Sequence, residues 1–339
     1  MKKIRVALIG CGKQAEKHLA SLMAYPNVDV ILSDMQPDLA RSLAKKNKVA
    51  CVDYPEEVFE INDVLAVLIC TPTASHAGLI KKALENGKDV FCEKPLCVKL
   101  EEAFELKDLE EKTGHSVMVG YIYRYVPIFE EGHRLFSKYR IDEESLILGK
   151  PLSAFFRLGG RGGHRAWKHS KNRGGGAINE MLVHMIDLAN WYFGPLYDVE
   201  VISNELKCPE RIIEGDLLKV DAEDFVMIRC FGFSGVEIFC QADLITPAFN
   251  QYVEIQCENG TFMGSIQPEM PSFVYMKRAR GGYEAGKTVL KYGKRKVLDI
   301  QMAHFIKVIS ERKRPDRNRI EDSIELMRII REILSQSRK

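Results

Sequence analysis

Lys3-Ile4-Arg5-Val6-Ala7-Leu8-Ile9-Gly10-Cys11-Gly12-Lys13-Gln14-Ala15 is a short apolar run with a charged start that breaks at Gly10-x-Gly12 and then turns amphipathic, with Leu19, Leu22 and Met23 on one face. The change from continuous burial to helical spacing reads as a strand, a tight turn and a helix. Close backbone approach to a pyrophosphate needs glycine in such a turn, and the helix N-terminus supplies N–H donors and positive potential. Ala15 stands where the third glycine of the dinucleotide fingerprint usually falls, and a small residue serves there. Val28 to Ser33 reads as a second strand that ends at Asp34, 24 residues after Gly10. A carboxylate there accepts from a ribose 2′-OH and repels a 2′-phosphate. Met35 follows, and no Arg lies adjacent to receive that phosphate. NAD is therefore expected rather than NADP, with Gly10, Cys11, Gly12, Lys13, Gln14 and Asp34 as candidate cofactor residues. The competing reading is a plain glycine turn with an acidic helix cap, and the order strand, Gly-x-Gly, helix, strand, Asp weighs against it.

The alternation continues outward. Pro37 to Lys46 reads as a helix with Pro in its first turn, Val64 to Cys70 as a central parallel strand, Ser75 to Asn86 as a helix closed by Gly87, and Asp89 to Cys92 as a strand. Leu100 to Lys112 is a helix closed by Gly114, and Ser116 to Val119 a strand. This is the pattern of a doubly wound parallel α/β sheet, which binds ligands beyond the carboxyl ends of its strands. After Gly120 the pattern changes to longer strands at Leu152 to Leu158, Asp224 to Phe231, Val236 to Ala242 and Tyr252 to Gln256, with one strong helix at Ala177 to Phe193 and two closing helices at Val297 to Arg312 and Glu321 to Gln336. That reads as an α+β domain around a large, mostly antiparallel, open-faced sheet. Domains 1–120 and 121–339 follow, and whether the last helices pack back on the first domain stays open. Glu205 to Glu223 is poorly periodic and reads as a surface excursion.

The 339 residues suit two domains. With 49 basic and 47 acidic residues the net charge is +2, which gives no reason to expect nucleic acid or an anionic membrane. No apolar run reaches membrane-spanning length, and the run after Met1-Lys2-Lys3 ends at Gly10, too soon for a secretion signal. The nine cysteines include no C-x-x-C pair and mostly sit in apolar runs, which suggests reduced core residues in a cytoplasmic protein. No metal site is indicated.

Further motifs fall at strand ends. Thr71-Pro72-Thr73-Ala74-Ser75-His76 follows Cys70, with Ser75 placed to cap the next helix. Glu93-Lys94-Pro95 follows Cys92, so the Lys94 ammonium points toward the ligand crevice. Gly174-Gly175-Gly176 leads into a helix whose spacing places Glu180, His184 and Asp187 on one face, where a carboxylate can orient an imidazole. Taken singly, each has a structural reading: a surface lysine before a turn, or a satisfied core histidine.

In combination these motifs, with Gly87 to Leu96, Gly120-Tyr121-Ile122-Tyr123-Arg124-Tyr125-Val126-Pro127, His184-Met185-Ile186-Asp187-Leu188 and Glu258-Asn259-Gly260-Thr261, resemble the Gfo/Idh/MocA (glucose–fructose oxidoreductase/inositol dehydrogenase) family along nearly the whole chain. The resemblance implies a Rossmann domain, an open C-terminal sheet used for homodimer or homotetramer assembly, and nicotinamide-dependent oxidation of a secondary sugar or cyclitol hydroxyl. By position, Lys94 would contact the reacting hydroxyl and His184 would serve as base in oxidation and acid in reduction. Glu180 stands where the family often has aspartate. Thr71, Pro72, Thr73, His76, Glu93, Lys94 and Arg124 would join the cofactor residues, and Tyr123 and Asn179 would face the substrate with His184.

From Arg157 to Arg173 lie Arg157, Arg161, His164, Arg165, Lys168, His169, Lys171 and Arg173, with no Asp or Glu until Glu180. Arginine forks match oxyanions, so this stretch predicts an anionic sugar, such as a nucleotide-sugar, a sugar phosphate or a uronate, held by Arg165 and Lys168 with Trp167 as a stacking face. The bland reading of the same charges is a solvated basic loop. The motifs also fit a neutral polyol or inositol substrate, a redox-cycling glycosidase that retains its NAD, and a non-catalytic NAD-binding sensor. Retention of both Lys94 and His184 favours an enzyme.

Overall fold

The computed structural model describes residues 3–136, 146–161, 165–293 and 296–336. His164, like Gly162 and Gly163, lies outside them. The chain divides into two compact units, Met1–Tyr125 with Lys294–Ile324, and Val126–Gly293 with Glu325–Lys339.

The first unit starts β1 (Ile4–Ile9), α1 (Lys13–Met23), β2 (Val28–Ser33), α2 (Pro37–Asn47), β3 (Ala50–Cys51), α3 (Pro55–Glu60), β4 (Val64–Ile69), α4 (His76–Glu85), β5 (Asp89–Cys92), α5 (Leu100–Thr113) and β6 (Val117–Val119). Its six strands run parallel in the order β3-β2-β1-β4-β5-β6. This is the doubly wound Rossmann order, and its strand order reverses between β1 and β4, where such sheets take their ligands. Burial explains why the central strands read as unbroken apolar runs: Val6 to Ile9 and Ala66 to Ile69 are all buried. The two-residue β3 and the short α3 carry too little periodicity to be read from sequence.

The second unit holds α6 (Pro127–Phe136), β7 (Pro151–Gly159), a π-helical turn (Ile178–Leu182), α7 (Val183–Phe193), β8 (Tyr197–Glu205), β9 (Glu210–Ile213), β10 (Asp216–Lys219), β11 (Phe225–Phe231), β12 (Glu237–Asp243), β13 (Asn250–Cys257), β14 (Gly260–Gly264), β15 (Phe273–Met276) and β16 (Gly286–Val289). Eight strands form one sheet in the order β16-β15-β14-β13-β7-β12-β11-β8. The β7–β12 pair is parallel and the rest are antiparallel. In β11, Val226, Ile228 and Cys230 are buried, while Phe225, Met227, Arg229 and Phe231 keep partial exposure. One face is thus packed and the other open. On the packed face Phe156 of β7 meets Tyr192 and Phe193 of α7 at 5.9 and 6.4 Å between ring centroids.

The stretch read as a surface excursion contains the end of β8 and the β9–β10 hairpin. The hairpin stays exposed, with Ile212 and Leu217 largely in solvent. It is tied down by Asp224, which is buried and accepts from the Lys207 and Cys208 backbone N–H groups at 2.7 and 2.8 Å and from the Arg211 guanidinium at 2.7 Å.

Two helices close the chain, α8 (Val297–Glu311) and α9 (Ile320–Gln336), and the division between the units falls inside α9. In the first unit, Met302, Phe305, Ile306 and Ile309 of α8 join one apolar core with Leu19, Leu22, Leu32 and Phe91. Just before α9, Asn318 adopts φ +64° and closes the open edge of β6. Its amide donates to the Val119 and Tyr121 carbonyls at 2.8 and 3.0 Å, and its backbone carbonyl accepts the Val119 N–H at 2.8 Å. Asn318→Ala leaves two buried carbonyls without that donor. It should cost about 2 kcal/mol, read as a lower urea midpoint at unchanged slope.

Candidate active site

The first glycine of the turn is required by the fold. Gly10 has φ +91°, and a Cβ there would stand 2.8 Å from the Cys70 carbonyl carbon. Gly12 is different: it caps α1 at φ −77° with nothing within 4 Å of where a Cβ would stand, and no side chain caps the helix. The α1 N-terminus thus has no side-chain cap and room beside Gly12, as a pyrophosphate cradle needs. Asp34 accepts the Cys11 N–H at 2.7 Å through Oδ2 and the Gln36 N–H at 2.8 Å through Oδ1. A carboxylate has further lone pairs, so both oxygens can still accept ribose hydroxyls. The Cys11 thiol is buried and pushed up to about 12 by burial and by Asp34, so it is an inert packing group. These residues fit NAD.

Beyond β5, the Lys94–Pro95 peptide is cis. Glu93 accepts from His18 Nε2 at 2.6 Å and Gln14 Nε2 at 3.1 Å, so Gln14 is partly engaged inside the protein. His76 lies beneath the turn, 1% exposed, with Nδ1 2.8 Å from the Pro95 carbonyl and Nε2 2.8 Å from the Thr71 carbonyl. It links the β4 and β5 loops, where the motif reading placed it at the cofactor. Ser75 donates its hydroxyl to the Pro72 carbonyl at 2.8 Å and stands 2.7 Å from the Thr71 hydroxyl, instead of capping α4.

Arg124, which its motif places with the cofactor residues, lies in the interior of the first unit. It is 1% exposed and pairs with Asp322 Oδ2 at 3.1 Å, so its guanidinium is committed to the interior of this unit. Tyr123 stays half-buried, and burial pushes its phenol up. Asp322 and His18 do not stand out in the sequence motifs. His18 carries a signal, four residues after Gln14 on the buried face of α1, whereas Asp322 carries none.

In the second unit the helix expected from Ala177 begins as a π turn, and π turns recur at functional sites. Gly176, at φ +107°, packs where a Cβ would strike the Glu223 carboxylate. Glu223 in turn accepts the Ile178 N–H at 3.1 Å and so caps the helical segment. Glu180, Met181 and His184 are half-buried along one face and Asn179 is half-buried beside them, whereas Asp187 is 2% exposed. A π turn aligns residues five apart, so Asn179 as well as Glu180 falls under His184.

The basic stretch has counter-ions of its own. Lys168 pairs with Glu180, although the motifs assign the two to different tasks. Arg165 lies 3.7 Å from Glu214, Arg157 donates to Asp243 at 3.2 Å, and Arg161 donates to the Pro247 carbonyl at 2.7 Å. The Lys168 ammonium also stands 5.4 Å from the centre of the Trp167 ring, which is 41% exposed. Among the described residues no group of three or more His, Cys, Asp or Glu side chains could hold a metal ion, and no helix is long and apolar enough to cross a membrane.

A family model described as the oxidoreductase family with an NAD-binding Rossmann fold matches residues 4–121, and the Gfo/Idh/MocA C-terminal domain model matches residues 144–263. The chain belongs to the Gfo/Idh/MocA family. A scyllo-inositol 2-dehydrogenase (NAD(+)) of Bacillus subtilis (strain 168) is 31% identical over 57% of this chain, a match spanning about half, 54%, of that relative. An inositol 2-dehydrogenase of Rhizobium meliloti (strain 1021) is 26% identical, covering 78% of this chain and 76% of its own. Among solved structures, levoglucosan dehydrogenase in complex with NADH and L-sorbose superposes with a TM-score of 0.85 at 20% identity, covering all of this chain and 98% of that one. This Gfo/Idh/MocA protein is accordingly an oxidoreductase with an NAD-binding Rossmann domain.

Proposed function

We propose that the protein is an NAD-dependent dehydrogenase that oxidises a secondary hydroxyl of a neutral polyol, cyclitol or sugar. The observation that carries this is the pairing of Lys168 with Glu180, together with Arg165 beside Glu214 and Arg157 on Asp243. A cation already matched by a protein carboxylate has little to offer a phosphate, because the oxyanion would have to displace it. The inositol dehydrogenases among the relatives support the same substrate class. The preference for an anionic sugar, drawn from the run of charges alone, therefore yields to the neutral reading.

NAD, when bound, supplies the acceptor for hydride from the carbinol carbon. Gly10, Gly12 and the α1 N-terminus would hold its pyrophosphate, and Asp34 the adenosine ribose. Lys94 would donate to the reacting hydroxyl oxygen and favour its ionised form, and His184 would take the proton. Glu180, paired with Lys168, would orient polar groups on the π turn. Trp167 keeps an exposed aromatic face for a sugar ring.

The test is NADH formation with inositols, free hexoses, sugar phosphates and uronates in parallel. Turnover is expected with neutral substrates, and Arg165→Ala should leave KM within about twofold, as for most exposed ion pairs. NADH formed only from the anionic sugars would overturn the proposal. Release of a free sugar without net NADH would move it to the redox-cycling glycosidase.

A further inference from the structure

His18 is fully buried on α1, beside an apolar core that includes Leu19, Leu22 and Phe91. Apolar packing alone gives no reason for an imidazole there. Its Nε2 stands 2.6 Å from Glu93 Oε1, while Glu93 Oε2 accepts the backbone N–H of Lys94 at 3.3 Å. An ionised carboxylate only accepts, so His18 donates from Nε2. Its Nδ1 is buried with no hydrogen-bond partner. A bare ring nitrogen costs less in that place than an N–H with no acceptor, which makes the ring the neutral Nε2–H tautomer. The ring sits edge-on to Phe91 at 5.2 Å, which fixes its plane.

We propose that His18 is a positioning residue for Lys94: through Glu93 it fixes the peptide from which the lysine side chain departs, and it ties that turn to α1, whose N-terminus receives the cofactor. The proposal rests on the reading of Lys94 given above. The chain of contacts runs from helix to carboxylate to backbone N–H and lies entirely within the first unit. Gln14, one turn earlier, shares the same carboxylate oxygen, so a single helix faces the cofactor with its first turn and the lysine turn with its second.

The same contacts give the site a pH signature. Burial pushes the Glu93 carboxyl up, the hydrogen bonds from His18 and Gln14 and the nearby Lys94 ammonium oppose it, and the group lies below the ordinary carboxylate range. The other titratable neighbours are Cys70 at the end of β4 and Cys92 on β5, and burial pushes both thiols far up, so they remain uncharged. Without the His18 donor one of the groups that opposes burial is gone, and Glu93 takes up a proton at a higher pH. The Lys94 turn then loses its anchor on the acid side.

His18→Phe keeps a ring against Phe91 and removes the donor, whereas His18→Gln keeps an N–H at similar reach. With scyllo-inositol and NAD as probes, His18→Phe should lower kcat by at least about tenfold, with KM and the NAD dissociation constant nearly unchanged. The acid limb of its kcat–pH profile should move to higher pH, and His18→Gln should restore most of both. Nitrogen-15 NMR of the histidine-labelled wild type, with its NAD, should show His18 protonated at Nε2 alone. A folded His18→Phe with wild-type kcat and an unmoved acid limb would overturn the proposal, as would a loss of NAD affinity equal to the loss of kcat. Protonation at Nδ1 in the NMR spectrum would overturn it without reference to any substrate. Lys94→Ala, run alongside, separates the two readings. Wild-type turnover there sinks the role of Lys94, whereas wild-type turnover in His18→Phe beside an inactive Lys94→Ala sinks only that of His18.

Discussion

Lys94→Ala should sharply lower turnover while NAD stays bound. The lysine follows β5 at the carboxyl end of the parallel sheet, and its turn is held from two sides, by His18 and Gln14 on Glu93 and by His76 on the Pro95 carbonyl at 2.8 Å. A turn braced this firmly makes a side chain's aim depend on the backbone rather than on its own rotamers, which is what a proton-handling group requires. Removing a positioned acid or base costs about 10²- to 10⁴-fold in rate, so kcat should fall by roughly three orders of magnitude. Lys94→Met, which keeps the stem and loses the charge, should fall as far. Lys94→Arg should recover little, because a planar fork cannot replace a compact ammonium at one hydroxyl. The measurement is single-turnover hydride transfer at saturating NAD, with NAD affinity taken from quenching of protein fluorescence. A Lys94→Ala enzyme within about tenfold of wild type would remove the residue from the chemistry.

The Rossmann half was legible because its burial is local and total. A strand covered on both faces writes itself as Val64 to Ile69, and a helix covered on one face as Leu19 and Leu22. The two-residue β3 and the strands β8, β15 and β16 left no such trace, since a half-exposed strand such as Tyr197–Glu205 tolerates almost any residue on its open face. Charge was harder to read than shape. The stretch from Arg157 to Arg173 looks unopposed because its counter-ions Glu180, Glu214 and Asp243 lie elsewhere in the chain, and only folding brings Lys168 to Glu180 or Arg165 to Glu214. Arg124 shows the same limit: its partner Asp322 stands nearly two hundred residues later in the chain, and only folding brings the two to 3.1 Å. Sequence proximity finds the turns that approach a ligand. It does not find the long-range partners that decide whether a charged group is available to one.

Two glycines two residues apart should separate fold from cofactor. Gly10→Ala places a Cβ at φ +91° and against the Cys70 carbonyl, between β1 and β4 at the centre of the sheet. An L-residue in that conformation costs about 1–3 kcal/mol before the clash is counted, so the variant should unfold at a clearly lower denaturant concentration and lose NAD binding as a consequence. Gly12→Ser meets the opposite situation. At φ −77° and ψ −177° the position has the extended geometry of a helix N-cap, it is not capped by a side chain, and a Cβ there meets nothing. Serine is among the favoured N-cap residues and should raise stability by a few tenths of a kcal/mol. The same hydroxymethyl group stands in the space a pyrophosphate must enter, so NAD affinity should fall by about 100-fold, roughly 2.8 kcal/mol. Urea denaturation and NAD titration on the two variants decide the matter. If Gly12→Ser binds NAD as the wild type does, the cofactor does not approach the α1 N-terminus. If it is both more stable and unable to bind, glycine is kept at position 12 at the expense of the helix, because a ligand outside the chain requires the room.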